Sequence, residues 1–395
     1  MLNPRGRSSK VKIILVAGTN GKTTTSKLIR TILEENGYKV AHNEGGANLL
    51  NGIASALIQN ASVTRKLNFD YAIFEIDENT LPLALSELTP DFLVILNLFR
   101  DQLDRYGEIN IIAEKWRNAI ERLPKTTSLL LNADDPQIAY LSQNTKAKVS
   151  YFGIENKNSS ANQNAADSIL CPKCSSKLEF KTVFFSHLGD WGCKNCGLKR
   201  PKPDMSSFSK YPLEGIYNQY NTNAAVLVAK LNNINNLAIQ QSFESFSPAF
   251  GRQEKLNIEG KAVQIFLSKN PTSFNESLRT VVELGGKNIL FVLNDKIPDG
   301  RDVSWIWDTN LEEFLSQFKS ITVSGDRTFD MALRVKYANS SELGIKNYEL
   351  RIKEKLKNAI SLALEATPQN ETLYILPTYS AMLEVRKILT GKKIL

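Results

Sequence analysis

Gly18-Thr19-Asn20-Gly21-Lys22-Thr23-Thr24, the stretch GTNGKTT, joins a short apolar run, Lys12–Ala17, to a segment with helical apolar spacing, Thr23–Asn36 (Leu28, Ile29, Ile32, Leu33). Strand, glycine loop and helix in that order suit phosphate binding. Glycines let backbone N–H groups turn toward anionic oxygens, and the helix N-terminus adds partial positive charge. The loop is shorter between its glycines than the commonest phosphate-loop spacing, but its mechanics are the same. Lys22 is placed to reach the β/γ-phosphates, and the Thr23 hydroxyl to hold Mg²⁺. The plain alternative is a glycine turn that merely starts a helix.

Outward from the loop, strands read at Phe69–Ile76, Phe92–Leu98 and Ser128–Leu131, with a helix near Ile109–Arg122. Apolar strands alternating with helices predict a parallel sheet covered on both faces. Carboxylates then gather at strand ends, where such sheets present ligands. Glu75 is the metal candidate, with Asp77 and Glu78 close by. The next strand end carries NLFRDQLDRYGE, Asn97–Glu108, where Asp101 and Asp104 suit metal, nucleotide or substrate, or else an acidic helix start. A third cluster, LNADDP (Leu131–Pro136), reads either as part of the same site or as an Asx turn before a helix.

A second alternation begins at Lys261, with strands at Ala262–Leu267, Asn288–Leu293, Ser320–Val323 and Leu373–Leu376. The boundary falls near Pro248–Gly251. The pattern predicts an ATP-binding domain over 1–249, interrupted by a small insertion at about 168–203, and a Rossmann-like α/β domain over 250–395. A polar stretch from Asn156 to Asp167 reads as a linker into the insertion.

Composition narrows the classes. At 395 residues the chain is too long for one ordinary core, and 42% hydrophobic with 23% charged residues excludes wholesale disorder and fibrous repeats. No apolar run reaches the roughly 18 residues of a membrane span, and the N-terminus lacks a signal-peptide cleavage pattern, so a cytosolic chain is expected. A net charge of +8 permits an acidic partner without indicating one.

All four cysteines fall in CPKC and CKNC: Cys171, Cys174, Cys193 and Cys196. Eighteen residues separate the pairs, which matches the Cys₄ zinc spacing and predicts a zinc ribbon. The rival is a redox CxxC. Phe180, Phe184, Phe185 and Trp191 are expected to form the ribbon's small core, and His187, between the knuckles, an exposed hairpin position. Six Lys/Arg between Cys171 and Arg200 leave a nucleic-acid-reading ribbon as a distant alternative.

Taken in order, GTNGKTT, the strand-end Glu75, NLFRDQLD, LNADDP, IYNQYNTNAA (Ile216–Ala225) and FGRQEKL (Phe250–Leu256) resemble the ATP-dependent Mur ligase family over nearly the whole chain. The resemblance implies ATP with Mg²⁺, an acyl phosphate made from a carboxylate, and attack on it by an amine. Only 17 residues precede the loop, so the family's N-terminal uridine-nucleotide domain is not expected. Gln102 stands where many members have histidine, so the resemblance does not extend to their usual second Mg²⁺ site.

The inserted ribbon, with VLNDKIPDGRDVSWIWD (Val292–Asp308), SGDRTFDMALRVKYA (Ser324–Ala338) and LPTYSAMLEVRK (Leu376–Lys387), is similar to the MurT-type branch, the synthase subunits of lipid II isoglutaminyl synthase. That branch implies amidation of the D-glutamate α-carboxyl of the lipid II stem peptide, with ammonia from a glutamine amidotransferase of the GatD type. No nucleic-acid partner is implied. The cysteine count points to a separate glutaminase too, since such enzymes commonly use a cysteine nucleophile and all four here are committed to the metal site.

The resemblance assigns ATP to Gly18, Thr19, Asn20, Gly21, Lys22, Thr23 and Thr24, with Asn221 and Arg252 from the domain junction. The loop mechanics and the strand-end position give Mg²⁺ to Thr23 and Glu75, and the paired spacing gives Zn²⁺ to the four cysteines. Asp302 is the residue expected to orient or deprotonate ammonia, because a carboxylate can accept a hydrogen bond and then a proton. Its alternatives are Asp299 and Asp308, and an N-cap before VSWIW is the structural reading of Asp302. Domains closing over ATP are expected. An amino-acid-adding ligase of the Mur or folylpolyglutamate kind is the nearest other activity.

Overall fold

The computed structural model describes residues 11–43, 69–100, 109–155, 167–338 and 348–391. Asp101, Gln102 and Asp104, and residues 156–166 of the polar linker, lie outside them. The chain divides into two compact units, Met1–Ser247 and Pro248–Leu395.

In the first unit six parallel strands lie in the order β2-β3-β1-β4-β5-β6: β1 Lys12–Ala17, β2 Val40–His42, β3 Tyr71–Ile76, β4 Phe92–Ile95, β5 Ser128–Asn132 and β6 Lys148–Phe152. The period-2 alternation of β1 explains why both faces are covered. Ile14 and Val16 join a core with Leu28, Ile32 and the helix Ile216–Leu231, while Leu15 and Ala17 face Phe74, Ile76 and Trp116. The central position of β1 puts the loop that follows it beside the ends of β3 and β4.

Residues after β6 form the insertion. Strands β7 (Glu179–Phe185) and β8 (Leu188–Gly192) pair antiparallel in a sheet of their own. Its packing corrects two expectations. Phe184 and Phe185 leave the ribbon and enter the first unit's core, together with Leu188; Leu178, Phe180 and Trp191 pack with the cysteine pairs instead. His187 is not an exposed hairpin residue but has no solvent-accessible surface. Polar turn residues usually face water, yet this turn is bracketed by apolar residues on both sides. Burying each of these large side chains stabilises by about 1.5–3 kcal/mol, and the turn is carried in with them.

The second unit has the order β13-β12-β11-β14-β10-β9, with β9 Arg252–Ile258, β10 Lys261–Phe266, β11 Asn288–Val292, β12 Ser320–Ser324, β13 Glu349–Ile352 and β14 Thr372–Pro377. Among these strands only β9 is antiparallel to its neighbour. Strand order reverses between β11 and β14, which opens a crevice beyond their C-terminal ends.

Candidate nucleotide and metal sites

Gly18 and Gly21 have φ of 140° and 91°, values that side-chain-bearing residues rarely adopt, and they turn the loop into the helix Lys22–Glu35. Asn97, at the end of β4, fixes the loop from outside. Its Oδ1 accepts from Asn20 N–H at 2.9 Å and its Nδ2 donates to Asn20 O at 3.0 Å. Thr19 N–H also bonds Asn97 O, and the Thr19 hydroxyl accepts from Phe99 N–H at 3.1 Å. Sequence reasoning places Asn97 at a strand end without giving it this role.

Lys22 is buried. Its ammonium donates to Gly18 O and Thr19 O and pairs with Glu78 Oε2 at 3.3 Å. A lysine folded onto its own loop can exchange carbonyl contacts for phosphate oxygens by rotating its side chain. The Thr23 hydroxyl donates to Glu75 Oε2 at 2.8 Å, so the two Mg²⁺ candidates already touch. Two adjacent hard oxygen donors suit Mg²⁺, which binds through few carboxylates and keeps several waters. Asn221 lies against the loop: Thr25 donates to its Oδ1 at 3.3 Å, and its Nδ2 donates to Asn218 Oδ1 at 3.1 Å.

The LNADDP carboxylates are occupied structurally. Asp135 caps the helix Pro136–Tyr140, accepting from Gln137 and Ile138 N–H, and its Oδ2 accepts from Leu98 N–H at 2.9 Å. Asp134 accepts from Arg200 Nε at 2.6 Å, Tyr220 OH at 2.7 Å and Ile154 N–H at 2.9 Å. Burial nevertheless pushes its carboxyl up to about 6, because the cost of desolvation exceeds the help from Arg200. This cluster therefore fastens the ribbon's exit to the sheet rather than facing the loop. His187 Nε2 lies 3.3 Å from Asp135 Oδ2 without a well-aligned hydrogen bond.

The four cysteine Sγ atoms lie within 4.8 Å of one another. Contacts of 3.5 Å run between the knuckles, Cys171 to Cys196 and Cys174 to Cys193. A disulfide needs about 2.05 Å, whereas two sulfurs on one tetrahedral zinc with bonds near 2.3 Å sit about 3.8 Å apart. The cluster fits a single soft metal ion.

In the second unit, Asp302 is exposed and accepts from Ser304 N–H at 2.7 Å, which holds its carboxyl below the usual range. Asp299 is buried and occupied, accepting from Ser380 N–H at 2.7 Å, from the Ser380 hydroxyl and from Lys296 N–H. Those bonds tie the loop after β11 to the residues after β14. An open cleft of about 600 Å³ adjoins them, lined by Asp295, Lys296, Ile297, Pro298 and Arg301. Asp308 is exposed in the short 3₁₀ turn Ser304–Asp308, and Arg252 opens β9. No described helix is long and apolar enough to cross a membrane.

A glycine loop between a central parallel strand and a helix, with a lysine and a threonine–carboxylate pair at its mouth, defines a P-loop nucleotide-binding protein. The Mur ligase middle domain model matches residues 16–229, and the MurT ligase C-terminal model matches residues 267–382. The chain is 36% identical to the lipid II isoglutaminyl synthase (glutamine-hydrolyzing) subunit MurT of Staphylococcus aureus strain COL, covering 82% of this chain and 77% of that one. It is 31% identical to the subunit of the same name from Streptococcus pneumoniae strain R6, covering 97% and 88%. Among solved structures, a pseudomurein peptide ligase type C from Methanothermus fervidus superposes with a TM-score of 0.71 at 22% identity, covering 97% of this chain and 79% of that one. The chain belongs to the Mur ligase family, in its MurT branch. Membership implies an ATP-dependent ligase that uses Mg²⁺.

Proposed function

We propose that this chain is the synthase subunit of a two-chain amidotransferase, converting the D-glutamate α-carboxyl of the lipid II stem peptide to the carboxamide of D-isoglutamine. The observation that carries the reading is the Lys22, Thr23 and Glu75 arrangement at the loop, in a chain 36% identical to a lipid II isoglutaminyl synthase subunit.

Lys22 and the N–H groups of residues 18–24 hold the ATP phosphates, and Asn221 and Arg252 contact the nucleotide. Thr23 and Glu75 hold Mg²⁺, which neutralises charge on the phosphates when bound. A carboxylate oxygen of the substrate attacks the γ-phosphorus in line and ADP leaves, so positioning and charge neutralisation dominate this step. Ammonia nitrogen then attacks the acyl carbon, phosphate leaves, and the surplus proton goes to a base. Asp302 takes that role as an exposed carboxylate that can accept a hydrogen bond from the nitrogen and then its proton.

Ammonia comes from a glutamine amidotransferase of the GatD type. The chain's four cysteines all sit in the ribbon cluster, where they hold a structural Zn²⁺, which leaves no thiol for cleaving glutamine. The two units form an ATP-binding domain (1–249, with the ribbon at about 168–203) and a C-terminal domain (250–395). The enzyme works in the cytoplasm, at the inner membrane face when its substrate is lipid-linked.

The test combines the chain, a GatD-type partner, lipid II, ATP and glutamine, and follows the carboxyl-to-carboxamide mass change. ATP-dependent amidation that also proceeds with ammonium alone is expected. Incorporation of an amino acid in place of ammonia would overturn the assignment.

A further inference from the structure

The two histidines of the chain are His42 and His187. His42 ends β2, a three-residue strand at the sheet edge paired with β3. Its register partner is Ile73, two residues before Glu75 on β3. Asn43 grips the Glu75 backbone on both sides: Glu75 N–H donates to Asn43 Oδ1 at 2.9 Å, and Asn43 Nδ2 donates to Glu75 O at 3.1 Å. With the backbone fixed in this way, His42 Nε2 lies 3.3 Å from Glu75 Oε1, while the Thr23 hydroxyl holds Oε2 at 2.8 Å. The His42 and Glu75 side chains are 7% and 5% exposed. Nε2 is buried yet makes no well-aligned hydrogen bond, so it is an orphan donor or acceptor beside a carboxylate. Leaving such an atom unpaired is costly, and a small ring rotation would pair it.

From these positions we infer that His42 is a positioning residue for the cation site: as the Nε2–H tautomer it donates to Glu75 Oε1, so that the carboxylate is held from both oxygens and presents its remaining lone pairs to the metal. The inference deepens the nucleotide-site reading and rests on it. Outer partners that orient a ligating carboxylate typically contribute ten- to hundred-fold in metal affinity. Gln is the informative replacement, because its Nε2 amide can reach a similar place as a donor. Leu fills the volume without donating.

Two measurements on the full-length chain test this. Without metal or nucleotide, ¹⁵N NMR of the imidazoles, assigned with His42→Gln, is expected to show His42 protonated at Nε2. Glu75→Gln should then move the His42 signal and leave that of His187 in place. A His42 unprotonated at Nε2, or a signal indifferent to Glu75→Gln, overturns the inference. In the second measurement, Mg²⁺ is titrated calorimetrically into protein saturated with a non-hydrolysable ATP analogue. His42→Leu and His42→Ala should weaken Mg²⁺ about ten- to hundred-fold while His42→Gln stays within a few-fold of wild type. Wild-type affinity in His42→Leu sinks the inference alone. A wild-type chain that takes up no Mg²⁺ with nucleotide sinks the site reading and the inference with it.

Discussion

The side chain of Asn221 occupies the space over Gly21: a Cβ added at Gly21 would lie 2.1 Å from Asn221 Oδ1. The helix Ile216–Leu231 is thus in contact with the phosphate loop, although the two are far apart in the chain. Gly21→Ala should cost stability, on the order of 1–3 kcal/mol, from the positive φ and the clash together. Urea unfolding measures this, and nucleotide binding should weaken alongside. Asn221→Ala in the same background should recover part of the loss by removing the clash. A Gly21→Ala protein as stable as wild type would show that the loop is not held as described.

Lys22→Ala should lower ATP-dependent amidation at least about a hundred-fold, the scale for removing one preorganised charge from a transition state. Its melting temperature should fall as well, because the buried Glu78 carboxylate loses its ion-pair partner, so rates are compared per folded protein at a temperature well below the transition. Amidation assayed with the glutaminase partner and with ammonium separates loss of phosphoryl transfer from loss of ammonia supply. Undiminished turnover would remove Lys22 from the site.

Asp302→Asn separates the two half-reactions. The carboxamide-forming step should slow by about 10²–10⁴, the range for general base catalysis, while substrate-dependent release of ADP continues. If both fall together, Asp302 serves the fold of the Ser304–Asp308 turn rather than ammonia.

Asp134 provides a pH signature. Its carboxyl titrates at about 6 in the folded chain against 3.8 for the ordinary group. Between those values the folded state retains a proton that the unfolded chain has released. Its contribution to stability is therefore largest below about pH 4 and is lost as pH rises through about 6. Urea midpoints measured from pH 4 to 7 should fall less steeply for Asp134→Asn than for wild type. Equal slopes would mean that Arg200 keeps Asp134 ionised throughout.

Metal removal should reach beyond the ribbon. Chelation, or Cys174→Ser, frees the hairpin whose Phe184, Phe185 and Leu188 sit in the first unit's core. Losing even two of those contacts costs about 3–6 kcal/mol, which for a unit of this size lowers the melting temperature by roughly 10 °C. Calorimetry, paired with metal analysis showing about one zinc per chain before treatment, checks the claim.

The parallel sheets and the phosphate loop are legible in the sequence because their signals are local: continuous apolar strands, a glycine turn and helical spacing within one segment. The cysteine pairs are legible for the same reason. Strand β2 and strand β13 are not, being three and four residues long with partly exposed positions. His42 carries no local signal, since its meaning comes from pairing with β3, far along the chain. Residue type alone misleads at His187 and at the LNADDP aspartates. Whether a polar turn faces water or is pulled inward depends on what its apolar neighbours find to pack against, and for the ribbon that surface is the helix Ile216–Leu231 and β6, not the ribbon itself.

Phe185 and Leu188 pack with residues that precede and follow the insertion in the chain, from Ile14 to Phe243. Synthesis therefore delivers the plug before the last helices that close around it. The cysteine hairpin leaves the ribosome before Ile216–Leu231 and Asn236–Ser242, the helices whose residues complete the same core. An ion held by the four cysteines would thus bear on how the first unit's interior is completed, and not only on the ribbon that carries them.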